Sequence, residues 1–332
     1  MSKEFIFQGL AMANNYLATG RRNKAIEMLS TINKVSPGEK TAQDLMHKIY
    51  CKQINEDPPD LSDLFGEHWN GESLKGKSIE VFCDQGIGDT LNLLRYVKEL
   101  KLIHGCRIVL NCYAFFNQFE KLVKEHCNYI DEFTPFHVKC DFHTNIMSIP
   151  ALLRNLEFDV YYSVHFKEVL QTSIPSHLIF DFNDPFFKSD KKSIGICWQT
   201  NADNPLSKVK TISLDLFESF KFDNVDIYCL QPDIECPDWI SVIPIKDLYD
   251  TARLIQSVDA VISVDTAVLH LAGTLAKKTY GLLPFECDPR WETGETTPWY
   301  PSVELFKQSE DKNWSDSILK VKECIASFLK IA

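Results

Sequence analysis

Two runs of alternating apolar strands and amphipathic helices constrain this chain more than any other feature. The first opens with the strand "SIEVFC" (78–83) and the helix "GDTLNLLRYVKELKLIHG" (88–105). The strand "RIVLNCY" (107–113) and the helix "FFNQFEKLVKEH" (115–126) follow, and "YIDEFTPF" and "CDFHTNIMSIPALL" continue the alternation. The pattern lapses through "SIPSHLIFDFNDPFFKSDKKS" (173–193), which places a domain boundary near 183–192. It then restarts as "IGICW", "SLDLFESF", "VDIYCLQ", "DLYDTARLIQSV", "AVISV", "TAVLHLAGTLA" and "TYGLLPF", and closes on the amphipathic helix "WSDSILKVKECIASFLKI". Strands alternating with helices imply parallel sheets covered by helices. The fold class is therefore α/β, with two successive parallel-sheet domains. In such sheets ligands bind beyond the carboxyl ends of the strands, and two domains of this kind facing each other make a cleft.

The flanks differ. Residues 4–53 read as helices, and Gly9, Tyr16, Gly20, Ala25 and Pro37 match the spacing of one tetratricopeptide repeat. Small residues there let two helices approach, the tyrosine packs between them, and the proline stops the second. A generic helical hairpin is the alternative. One repeat cannot bury its own face, so the segment is expected to pack on the rest of the chain or on a protein partner. "NEDPPDLSDLFGEHWNGESLKGK" (55–77) lacks periodicity and reads as a linker. The expected plan is 1–55 as tetratricopeptide-like helices, 56–187 as the first α/β domain and 188–332 as the second.

Composition narrows the function classes. A formal charge of −11 with scattered Lys and Arg disfavours nucleic-acid binding, which needs clustered cations. None of the 11 cysteines sits in a CxxC pair, and Cys83, Cys197 and Cys229 lie inside apolar runs as small hydrophobes. A disulfide framework is not expected, which fits a reducing, cytoplasmic setting. No secretory leader is recognisable at the start of the sequence given. No apolar run of about 18 residues exists to span a membrane.

Four stretches carry chemistry. In "VFCDQGIGDTLNLLRYV" a strand ends, Gly86 and Gly88 allow a tight turn and close approach, and Asp89 enters the first helical turn. No third glycine completes a dinucleotide fingerprint. Asp89 reads either as a helix cap or as a carboxylate facing the cleft and able to accept a proton. In "ICWQTNADNPLSKVKTISLDLF" a strand ends at Trp198, and a polar loop with Lys208 and Lys210 leads to Thr211 before a helix. Those lysines suit an anionic ligand or belong to a solvated loop. In "AVISVDTAVLHLAG" the strand delivers Asp265 and Thr266 to a helix N-terminus. Both residues cap helices, but the same terminus offers N–H groups to a phosphate, and small Ala267 leaves room. His270, one turn on, is by itself more often a buried structural histidine than a catalyst. The fourth stretch, "LLPFECDPRWETGETTPWYPSVELFKQ", is a rigid aromatic and proline-rich loop that walls a pocket, latches the domains together or simply packs as surface.

Taken in order, "GIGDTL", the strand ending in Trp198 with its lysine loop, "ISVDTAVLHLAG" and "LLPF…RW…TPWYPS…LFKQ" resemble the heptosyltransferase-type glycosyltransferases of family nine. More narrowly they resemble the bacterial group in which tetratricopeptide repeats precede such a domain. The resemblance covers roughly residues 66–330. It implies a GT-B fold, two Rossmann-like domains facing a cleft, with the acceptor on the first and the donor mainly on the second. It implies an inverting transferase that uses a nucleotide-sugar donor as co-substrate, with no metal and no other cofactor. Asp89 then takes the role of catalytic base. Lys210 matches a cation on the donor phosphates, although the repeat-bearing relatives usually carry Arg there and the bidentate fork is lost. Asp265, Thr266 and Ala267 match the turn that seats the pyrophosphate, His270 the histidine after it, and Gln231 a donor-side position. Gly86, Gly88, Trp198, Lys208 and Thr211 stand in the same motifs and complete the expected donor-binding set.

The resemblance leaves the acceptor open among a lipid-linked saccharide, another glycan and a protein hydroxyl, and heptose is a family association. Two other readings compete. A catalytically silent relative could act as a scaffold through its helical segment, which the retained Asp89 and lysine loop disfavour. A nicotinamide-dependent oxidoreductase is disfavoured by the missing glycine fingerprint.

Overall fold

The computed structural model describes residues 66–83, 86–156, 180, 182–201, 207–291 and 294–331, together with positions 6, 9, 10, 12, 13, 25, 28, 29, 32 and 42. Tyr16, Gly20 and Pro37 of the expected repeat lie outside the described residues. Gly9 and Ala25 are helical and buried, and a Cβ on Gly9 would stand 2.9 Å from Ile32 Cδ1.

In chain order the elements are β1 (Glu67–His68), β2 (Ser78–Phe82), α1 (Ile87–His104), β3 (Arg107–Asn111), α2 (Phe116–His126), β4 (Glu132–Thr134), β5 (Phe142–Asn145) and α3 (Ile149–Leu153). After the irregular stretch come β6 (Lys192–Cys197), α4 (Ser207–Lys210), α5 (Leu214–Phe217), β7 (Val225–Cys229), β8 (Ser241–Val242), α6 (Leu248–Ser257), β9 (Ala260–Val264), α7 (Ala267–Thr274), β10 (Thr279–Leu283), β11 (Val303–Lys307) and α8 (Ser315–Leu329). Contacts group residues 1–85, 96–116 and 128–165 into one compact unit, and residues 86–95, 117–127 and 166–332 into another. The first turns of α1 and most of α2, expected with the first domain by sequence order, thus group with the second unit.

The first unit holds a five-stranded parallel sheet in the order β1-β5-β2-β3-β4. β2 and β3 are buried beyond their first residues, as strands of a covered parallel sheet are. One acid is buried among them. Glu80 accepts from Asn111 Nδ2 (2.9 Å) and the Val138 amide (3.1 Å), and pairs with His137 Nδ1 at 2.6 Å. These partners satisfy a carboxylate that burial would otherwise penalise. Beside it, burial and then the neighbouring His68 push His143 down to about 4.

The second unit holds a six-stranded parallel sheet in the order β11-β10-β9-β6-β7-β8. Every residue of β9 and of β10 is buried, which explains their predominantly apolar sequences. α7 is apolar or small but for His270 and Thr274, and beyond Ala267 it is buried, packed against β9, β10 and α6. The chain leaves β6 toward β7 and later returns to β9 on the other flank. The order therefore reverses between β6 and β9, the switch point beyond whose carboxyl ends ligands collect.

Local differences from the sequence reading are small. Lys208 and Lys210, expected in a loop, lie on the single helical turn α4. The "SLDLFESF" helix splits into α5 and a 3-10 turn, Glu218–Phe220. β1, β8 and β11 were not expected as strands. The described cysteines are free, with Cys83, Cys197 and Cys229 buried. Among the described residues no helix is long and apolar enough to cross a membrane.

Candidate active site

The chemistry-bearing side chains gather in the second unit, at the carboxyl ends of β6, β9 and β10 and at the start of α1. Thr266 caps α7. It has extended backbone angles, and its Oγ1 accepts from the Val268 amide at 3.3 Å. This consumes one of the orphan N–H groups of the first turn and fixes the helix start. Ala267 follows half-buried, so the terminus is bordered by a methyl group only.

Asp265 is buried just before that cap. Its Oδ2 pairs with Lys210 Nζ at 2.6 Å, and its Oδ1 accepts from Trp291 Nε1 at 3.0 Å. Lys210, with 16% of its side chain exposed, is thus held against the N-terminus of α7 by a carboxylate. Lys208, on the same turn, is exposed. Thr211 Oγ1 accepts from the Thr200 amide at 3.4 Å and braces the loop rather than reaching the Lys210–Asp265 pair.

Trp198 and Gln231 support this arrangement from behind. Both are buried, and Gln231 Oε1 accepts from the Trp198 amide at 2.9 Å while its Nε2 donates to the Gln199 carbonyl at 3.1 Å. Gln231 therefore ties the end of β7 to the loop after β6 that leads to Lys210.

Asp89 occupies the first turn of α1. Its Oδ2 accepts from the Gly86 amide at 3.1 Å, the reach-back half of a capping box. Its Oδ1 accepts from Arg290 Nη2 at 2.5 Å. A Cβ on Gly86 would lie 3.2 Å from Asp89 Oδ2, and one on Gly88 would lie 2.6 Å from His270 Cδ2. Close approach, more than unusual backbone angles, is what these glycines provide.

His270 is buried between these groups. Its Nδ1 meets Tyr300 Oη at 2.9 Å, its Nε2 stands 4.0 Å from Asp265 Oδ1, and its ring lies 5.1 Å from that of Trp291. Burial first, then the Arg290 charge, push its pKa down to about 3, so it is a neutral imidazole at ordinary pH. Tyr300 is itself held by Asn92 Nδ2 at 3.0 Å.

Arg290, Asp288, Trp291 and Tyr300 were not named as site residues from the sequence. They belong to the aromatic loop after β10, whose "RW" and "TPWYPS" entered the family resemblance without a role being assigned to any of their residues. Arg290 is buried, and its Nε donates to Asp288 Oδ1 at 3.0 Å. Burial alone would lower its pKa, but the Asp89 and Asp288 carboxylates outweigh burial and hold it raised. Burial alone would raise the Asp288 pKa, but the charge and hydrogen bonds of Arg290, with Lys210, together hold it lowered. Among the described residues no group of three or more His, Cys, Asp or Glu side chains is arranged to hold a metal ion.

An assembly of carboxylates, cations and a helix N-terminus beyond parallel strands suits a phosphorylated ligand. Residues 228–321 match the model of Glycosyltransferase family 9 (heptosyltransferase). No curated protein matches the chain in sequence. Among solved structures, the Escherichia coli ADP-heptose LPS heptosyltransferase II superposes with a TM-score of 0.51 at 12% identity, over 76% of this chain and 97% of that one. The dodecameric iron-containing heptosyltransferase TibC, in complex with ADP-D-β-D-heptose, superposes with a TM-score of 0.51 at 14% identity over 78% of each chain. TibC comes from enterotoxigenic E. coli H10407. At these identities the likeness is one of fold. The match of residues 228–321 to the glycosyltransferase family 9 model, on an α/β fold with two parallel sheets like that of the heptosyltransferase structures, supports a glycosyltransferase enzyme.

Proposed function

We propose that the chain moves a sugar from a nucleoside-diphosphate donor to an acceptor hydroxyl, with inversion at the anomeric carbon and without a metal ion. The acceptor hydroxyl belongs to a glycan, a lipid-linked saccharide or a protein. The observation that carries this reading is the Lys210–Asp265 pair at the capped start of α7, with Asp89 in the same unit. A diphosphate arriving at α7 competes with Asp265 for Lys210. Lys210 and the helix N–H groups then meet the negative charge that grows on the leaving diphosphate.

Asp89 takes the proton of the acceptor hydroxyl. The acceptor oxygen forms its bond to the anomeric carbon from the face opposite the leaving group, and the bond to the β-phosphate oxygen breaks with its electron pair on the diphosphate. Asp89 has 25% of its side chain exposed, which leaves its carboxylate open to an acceptor. This proton is assigned to Asp89, which has solvent access, and not to the buried His270. ADP-heptose, the bound ligand of TibC, is the first donor to try. The free thiols fit a reducing, cytoplasmic setting, and a protein partner for the N-terminal segment remains part of the proposal.

Asp89→Asn tests the reading. Transfer is expected to fall by at least about 100-fold, the usual contribution of a positioned base, with nucleoside-diphosphate affinity kept. Loss of that affinity instead would move Asp89 into the donor site. Activity is expected to survive EDTA, and a strict divalent-ion requirement would contradict the charge roles given to Lys210 and α7. NMR of the product assigns its anomeric configuration, and a retained one would reject the single displacement.

A further inference from the structure

We propose that Arg290 is the positioning residue for Asp89, aiming its carboxylate from beneath while the other side stays open to the acceptor. This rests on the reading of Asp89 as the base. A carboxylate held at one oxygen pivots about that bond, whereas one held at both has its plane fixed. Here the Gly86 amide holds Oδ2 and Arg290 Nη2 holds Oδ1. The arginine is itself fixed. Its Nε and backbone N–H both donate to Asp288 Oδ1, at 3.0 Å and 2.9 Å, and its carbonyl accepts from Trp299 Nε1 at 3.0 Å. Exposure separates the roles. The Arg290 side chain is 6% exposed and that of Asp89 25%, so the cation is the support and the carboxylate is the accessible partner. A buried guanidinium between two carboxylates is also ill suited to binding diphosphate, because that ligand would have to displace both. Lys210, paired with the Asp265 carboxylate and more exposed than Arg290, is the better phosphate cation.

The test compares Arg290→Gln, Arg290→Lys and Asp288→Asn with the unchanged protein. Release of ADP from ADP-heptose is followed with water as acceptor, and ADP binding is measured by calorimetry. A base displaced by about 1 Å loses up to about 100-fold in rate. Arg290→Gln is therefore expected to lower kcat by about 10- to 100-fold, with KM for ADP-heptose and ADP affinity within about twofold. Arg290→Lys should recover part of kcat, and Asp288→Asn should lower it less. If Arg290→Gln does not fold, the other two variants decide. Unchanged kcat, or lost ADP affinity with kcat kept, overturns the assignment. Turnover undiminished in Asp89→Asn overturns the reading of Asp89 as base and this assignment together. Turnover lost in Asp89→Asn but intact in all three variants overturns this assignment alone.

Discussion

Lys210 and Asp265 compensate each other's burial, and each is costly to leave alone. Removing one partner of a buried pair typically costs about 3–5 kcal/mol. Lys210→Ala should therefore lose both stability, read by urea unfolding, and at least about tenfold in nucleoside-diphosphate affinity, read by calorimetry. Stability lost with affinity kept would make the pair purely structural. At the same scale, the pKa of His270, pushed down to about 3, removes any histidine step from donor binding. The terminal phosphate of ADP itself titrates at about pH 6, so any step in ADP affinity there should persist in His270→Gln, and a step that disappears in that variant would contradict this. Asp89 and Asp265 stood out in the sequence because each lies at the start of a helix after a strand, and Lys210 because it lies in a polar stretch between a strand and a helix. Arg290 did not, because its partner Asp89 is 201 residues away, a separation no local pattern encodes.

Helix starts do most of the placing at the level of elements. The start of α1 approaches His270 so closely at Gly88 that even a methyl group intrudes. Gly88→Ala should cost about 1–3 kcal/mol by overpacking and move Asp89 with the helix. Thermal melting and transfer assays together check this, and a variant unchanged in both would show that the approach is slack. Long elements such as α1, α2, β9 and α8 were readable from periodicity or predominantly apolar runs. α4 was missed because one turn is too short to show a helical period, and β1 and β8 because two residues carry no alternation. β11 escaped because it follows the dense Trp299–Tyr300–Pro301 run, which reads as loop.

The whole molecule places two parallel sheets in succession, as the two alternating runs implied, and the reversal between β6 and β9 locates the candidate site in the second unit. Which parts of α1 and α2 group with that unit was not legible, because grouping depends on tertiary contacts and not on chain order. Each unit also carries a histidine that burial keeps neutral, His143 at about 4 and His270 at about 3, against an ordinary value of 6.5. Between those values the unfolded chain binds more protons than the folded one, so stability falls as pH drops from 6.5 toward 4. Denaturant unfolding at pH steps across that window should report the decline. A flat profile would place these histidines in wetter surroundings. The most direct measurement is a calorimetric titration of the unchanged protein, Lys210→Ala and Asp89→Asn with ADP, UDP and GDP. One of the three nucleotides should bind the unchanged protein and Asp89→Asn alike, and bind Lys210→Ala at least about tenfold more weakly. Binding of none of them, or binding that ignores Lys210 and depends on Asp89, would contradict a diphosphate seat at the start of α7.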